Sequence, residues 1–129
     1  NNAMVPSAWL GRKLIDEMGS EHLRILWDPA NSLYANEPTY PDGWDALKGG
    51  YIGHFHIKDA RVNMPRAHVE FCELGSGEMA PYLDPLAEDM KRNGYGGFIS
   101  LESVYRPEDG SFEDGYRASL PKFKKLFNW

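Results

Sequence analysis

A single cysteine, Cys72, removes any intramolecular disulfide from consideration. No run approaches the roughly 18 apolar residues that a membrane span requires. Nor does the chain open with the basic, apolar and small-residue succession of a secretory signal. Positive charge is in short supply: 14 Lys and Arg against 19 Asp and Glu leave a net charge of −5 with the signs interspersed, which argues against nucleic acid as the main partner. No Gly-rich segment opens a helix as a phosphate cradle would. These absences point to a cytoplasmic protein with neither a membrane nor a nucleic acid as partner. Core material, by contrast, is plentiful: 42% of the 129 residues are hydrophobic, and Trp, Tyr and Phe number 4, 7 and 6. That suits one modest domain over residues 1–129. The opening Asn2-Ala3-Met4 reads either as a remnant before a start methionine or as native sequence.

Along the chain, helix and strand patterns alternate. Leu10, Leu14, Ile15 and Met18 fall at helical spacing, with Ser7 placed to cap the start and Gly19 to end the run. "LRILWD" (residues 23–28) is a near-continuous apolar run and predicts a buried parallel strand. A short helix around Trp44 and Leu47 precedes a second strand, "YIGHFHIKD" (residues 51–59). Residues 60–79, rich in Gly, Pro and charge, read as a long covering loop. Pro81 starts a helix with Leu83, Leu86 and Met90 on one face, and Gly94 stops it. "GGFISLES" (residues 96–103) is the third strand. Ser111 to Asp114 forms a capping-box pattern before a last helix expected to turn Phe112, Tyr116, Leu120, Phe123 and Phe127 inward and to bend at Pro121. Strands alternating with helices imply right-handed βαβ units and a parallel sheet, an α/β fold with about three strands and four helices.

Each strand closes on a residue able to bind a divalent ion: Asp28, His56 and Glu102. In parallel α/β folds that edge of the sheet is where ligands gather. Two carboxylates and an imidazole form a mixed O/N donor set suited to Mn²⁺, Mg²⁺, Co²⁺ or Zn²⁺. Taken singly, each residue has a plainer reading. Asp28 suits a helix cap or a salt bridge, His54 and His56 suit hydrogen-bonded core histidines, and Lys58 with Asp59 suits a surface pair. Glu102 is harder to explain so, because it ends a strand otherwise built for burial, where an unpaired carboxylate is costly. His54 and His56 share strand parity, and His56 lies nearer the strand end, which leaves His54 to support the site or fill the core. Trp27, Tyr34, Phe55 and Tyr105 near the strand ends could stack on a sugar face or belong to the core.

Four ordered motifs, "LWDPAN" (residues 26–31), "GHFHIKDAR" (53–61), "GSGEM" (75–79) and "ISLES" (99–103), make the chain resemble the sugar phosphate isomerase/epimerase family, the xylose isomerase-like TIM barrels. The resemblance implies a partial (β/α)8 barrel holding the last strands, with an N-terminal part outside this sequence, since such a barrel typically takes about 250 residues. It places metal-ligand roles on Asp28, His56 and Glu102, with Glu102 also catalytic. It places substrate contacts on Asn31, Lys58 and Arg61. The implied activity is metal-dependent isomerisation or epimerisation of a sugar or sugar-like polyol by enediolate proton transfer. The family's second glutamate would fall upstream of Asn1, so little turnover is expected of this chain alone. Open strand edges predict association, either as a homo-oligomer or with the rest of the barrel. Polyol dehydration or another metal-dependent reaction on the same barrel type, and a non-catalytic remnant or interaction module, are the alternatives. With four histidines and net negative charge, nuclease action on that scaffold is disfavoured.

Overall fold

Ser7 and Gly19 bound the first helix, as their chemistry predicts. In α1 (Ala8–Met18) the Ser7 hydroxyl accepts from the Leu10 N–H at 3.1 Å, and Gly19, at φ 59°, returns its N–H to the Ile15 carbonyl at 3.1 Å. A computed structural model describes residues 7–129, so the reading of Asn2-Ala3-Met4 lies outside them. The buried face of α1 is made by small residues, Ala8 and Gly11, while Leu10, Leu14 and Met18 are exposed. The apolar stripe therefore does not enter the core. Leu14 and Ile15 instead line a groove beside the first strand.

Three parallel strands, β1 (Ile25–Trp27), β2 (Ile52–Ile57) and β5 (Phe98–Leu101), pair in the order β1-β2-β5. Trp27 lies opposite Phe55, and His56 opposite Ser100. Past Ile52, which is buried in the core where β2 begins, the period of two divides the sheet. Trp27, Phe55 and Ile57 point to one face and join Trp44, Leu47, Met79, Leu83, Leu86 and Met90 in the core, with Ile99 and Leu101 packed against it. Asp28, His54, His56, Ser100 and Glu102 have the opposite parity. Trp27 and Phe55 are thus core residues rather than sugar-stacking ones, their rings 5.4 Å apart.

The connection from β1 is a 3-10 helix, Pro29–Ala35, capped by Asp28, whose carboxylate accepts from the Ala30 N–H at 3.1 Å. After a tight turn at Thr39–Gly43 comes α2 (Trp44–Leu47). The expected loop over residues 60–79 is largely folded. β3 (Asp59–Asn63) and β4 (His68–Cys72) form an antiparallel ribbon running from the Asp59/Cys72 pair to the Asn63/His68 pair. Only the segment from Glu73 to Met79 remains irregular. The strands escape the sequence pattern because both edges carry charge: "ARVN" and "HVEF" alternate, but their outward residues look like loop chemistry.

α3 (Ala80–Arg92) buries Leu83, Leu86, Ala87 and Met90, and Gly94 follows it at φ 65°. α4 (Phe112–Leu126) has the full capping box and runs through Pro121 as one element. Gly115, Ser119 and Leu126 are buried, and Phe123 and Phe127 pack against the core as expected; Phe112, 61% exposed, and Tyr116 face outward instead. A Cβ on Gly115 would collide with the Tyr105 carbonyl oxygen, so the helix lies directly on backbone. That close approach turns the bulkier Phe112 and Tyr116 away. No described helix is long and apolar enough to cross a membrane.

Candidate metal centre

The C-terminal ends of β1, β2 and β5 bring Asp28, His56 and Glu102 together. One donor atom from each lies within 4.8 Å of the other two. Ligands on opposite sides of an ion with bonds of about 2.1 Å stand about 4.2 Å apart, so this spread suits one ion after small side-chain adjustments. His56 Nδ1 lies 3.4 Å from Glu102 Oε2.

Asp28 fulfils both of its sequence readings, one with each oxygen. Oδ1 caps the 3-10 helix, while Oδ2 is buried without an aligned hydrogen-bond donor. Lys58 Nζ makes an ion contact with Oδ2 at 2.6 Å, and the Glu102 carboxyl adjoins Asp28 as well. Burial raises the Asp28 carboxyl to about 6, against the lowering pull of Lys58. Glu102, more open, sits below the usual carboxylate range: burial pushes it up, but the Lys58 hydrogen bond and charge outweigh that. Lys58 itself is raised, since Asp28 and Glu102 overcome the cost of burying its ammonium. Two carboxylates and an imidazole converging at one point, with Lys58 Nζ as the counter-charge of both carboxylates, are a donor set whose chemistry fits a divalent cation.

His54 stands behind His56, ring centroids 5.0 Å apart and edge to face, with Nε2 2.7 Å from Ser100 Oγ. Ser100 is a site neighbour that the sequence reading missed; its parity with Glu102 on β5 was the available signal. A cavity of ≈ 780 Å³ runs from the centre along β1 to α1, and Asp28, Asn31, Tyr34, His56, Lys58 and Glu102 all line it. Asn31 is exposed on this wall, with its N–H bonded to the Asp28 carbonyl at 3.0 Å. Arg61 lies outside it. Its guanidinium reaches back to Ser76, 3.2 Å from the carbonyl and 3.1 Å from the hydroxyl, and ties the ribbon to the following loop.

Lys58 and Asp59 do not form a surface pair. They leave the end of β2 on opposite sides, and Asp59, 1% exposed, accepts backbone N–H bonds from Ala60, Gly75, Gly77 and Met79 at 2.8–2.9 Å. "HIKDAR" and "GSGEM" are therefore one structural unit, latched by this carboxylate.

The family model for the xylose isomerase-like TIM barrel matches residues 1–126, and no curated protein matches the chain. Three parallel strands with helices on one face, and polar groups gathered at the carboxyl ends of those strands, form an arc of such a barrel. The chain belongs to the xylose isomerase-like TIM barrel family.

Proposed function

We propose that the protein is a divalent-metal-dependent isomerase or epimerase of a sugar or sugar-like polyol. The convergence of Asp28, His56 and Glu102 at the open end of the strands carries this reading. These three residues would hold Mn²⁺, Mg²⁺, Co²⁺ or Zn²⁺. When bound, such an ion would stabilise negative charge on two adjacent substrate oxygens while a proton passes between neighbouring carbons through an enediolate.

The chain's own groups would supply the rest. Glu102, depressed and 39% exposed at its side chain, is ionised at neutral pH and open enough to take a proton from a carbon presented in the cavity. His54, hydrogen-bonded to Ser100, packs edge-on against the His56 ring. Asn31 offers an amide to a substrate hydroxyl on the cavity wall. Arg61 would reach substrate only after releasing Ser76. No second glutamate joins the group among the described residues, so turnover by the chain alone is expected to be slow. A cytoplasmic setting belongs to the same proposal and agrees with the free, buried thiol of Cys72.

One observation favours a non-catalytic reading: Lys58 bridges Asp28 and Glu102 and offsets part of their charge by itself. Titration calorimetry with Mn²⁺, paired with NMR detection of solvent deuterium entering a ketose next to its carbonyl, separates the two. The proposal expects one ion per chain and slow Mn²⁺-dependent exchange that Glu102→Gln abolishes. Absence of stoichiometric Mn²⁺ binding would sink the metal reading, whereas binding with no exchange above buffer would favour the non-catalytic one.

A further inference from the structure

A metal site needs its carboxylate oxygens accessible to the ion, and here two of them are engaged. Lys58 leaves β2 on the same face as His56 with a side chain only 8% exposed, and Nζ stands 2.6 Å from Asp28 Oδ2 and 2.8 Å from Glu102 Oε2. Both oxygens belong to residues of the three-donor group. From the ribbon side the Phe71 ring covers the ammonium, 5.3 Å from centroid to Nζ. A divalent ion ligated by the same oxygens would lie within a few ångströms of Nζ, and two cations so close in a poorly solvated pocket repel strongly. Yet the lysine is not trapped. Its four-carbon stem is flexible, and the residue already lines the ≈ 780 Å³ cavity.

We propose that Lys58 is a resident internal cation: it holds Asp28 and Glu102 together when no metal is present, and a divalent ion binds only by displacing it into the cavity. Lys58 thereby weakens and selects metal binding, because every incoming ion competes with a charge covalently fixed to the site. It also gives the carboxylates a counter-charge without metal, which spares the empty site the repulsion of two facing anions. The inference rests on the metal reading above and adds to it the group that the metal must move.

Calorimetric titration of Mn²⁺ into the wild type, Lys58→Met and Lys58→Arg tests it. Lys58→Met keeps the stem and removes the charge, so Mn²⁺ should bind at least ~10-fold tighter than to the wild type. Lys58→Arg, which keeps the charge, should show no gain. Equal or weaker binding to Lys58→Met overturns the displacement proposal while the metal reading stands. No stoichiometric Mn²⁺ in any of the three overturns both.

Because Lys58→Met leaves two carboxylates facing each other, it can lose its fold, and a measurement on the wild type therefore accompanies it. Reductive methylation followed by peptide mass spectrometry should find Lys58 protected without metal. It should be modified several-fold faster once Mn²⁺ saturates the site. Protection that persists unchanged with Mn²⁺ bound overturns the proposal.

Discussion

Lys58 and Asp59 are adjacent in sequence and part company in space, because alternate side chains of a strand leave on opposite faces. The lysine enters the candidate metal centre; the aspartate enters a nest of backbone donors from Ala60, Gly75, Gly77 and Met79. Charge-assisted bonds to buried N–H groups are among the strong ones, and truncation leaves those donors unpaired. Asp59→Ala should therefore cost about 3 kcal/mol in urea unfolding, while Asp45→Ala, at an exposed helix position, should stay within about 0.5 kcal/mol. Gly77 is bound to the same latch: a Cβ there would meet the Ala60 carbonyl, Asp59 Oδ1 at 2.5 Å and Cys72 Sγ at 2.6 Å. Gly77→Ala should shift the urea midpoint in the same direction as Asp59→Ala, although most loop positions tolerate alanine. His56→Ala differs in kind. Its side chain is 25% exposed and anchors no backbone, so stability should barely change while Mn²⁺ affinity falls at least ~10-fold. Asp28, His56 and Glu102 were legible in the sequence because each ends a strand. The latch was not, since it depends on a loop that returns 16 to 20 residues later.

At the scale of elements, local chemistry was easier to read than packing. Ser7, Gly19, Pro81 and the Ser111/Asp114 box act over three or four residues, and each bounds a helix as its side chain dictates. Which face of a helix enters the core is a longer-range matter. In α1 the buried residues are small, Ala8 and Gly11. In α4 Gly115 lies on the Tyr105 backbone where no bulk fits, so Phe112 and Tyr116 stay outside while Phe123, Leu126 and Phe127 pack on the core. The α4 cap carries a pH prediction. Hydrogen bonds from the Ser111 backbone and then its hydroxyl hold the Asp114 carboxyl below its ordinary value of 3.8. A depressed folded value means that the cap's contribution is fully present above the unfolded pKa and is lost as pH falls through the folded one. An NMR titration should place the Asp114 midpoint below 3.8, and amide exchange in the first turn of α4 should accelerate as pH drops through it. Ser111→Ala should raise that midpoint and cost about 1 kcal/mol. A midpoint at or above the ordinary value would mean that the box does not persist in solution.

For the whole molecule, the sheet matters through the face it leaves open. Helices and the core cover Trp27, Phe55 and Ile57, whereas the side that carries the candidate metal centre also presents Leu26 at 51% and Phe98 at 79% exposure. Leu26 is as apolar as Trp27, and Phe98 as Ile99, so composition could not separate them; only parity relative to the helices does. Among the described residues β1 and β5 each pair with β2 alone, which leaves an edge of unpaired N–H and C=O groups on either side. Parallel sheets are ordinarily covered on both faces, and open apolar edges recruit further strands. We propose that copies of the chain associate through this face and these edges. Sedimentation at micromolar concentration should then show species heavier than the 14.7 kDa chain, and Phe98→Lys, which places charge at the most exposed apolar position, should shift them toward that mass. Phe98 is in edge contact with His54 rather than with the core, so the substitution should leave the unfolding midpoint nearly unchanged. A wild type that sediments as one 14.7 kDa species would show that the polar groups around Asp28 and Glu102 keep this face in water without a partner.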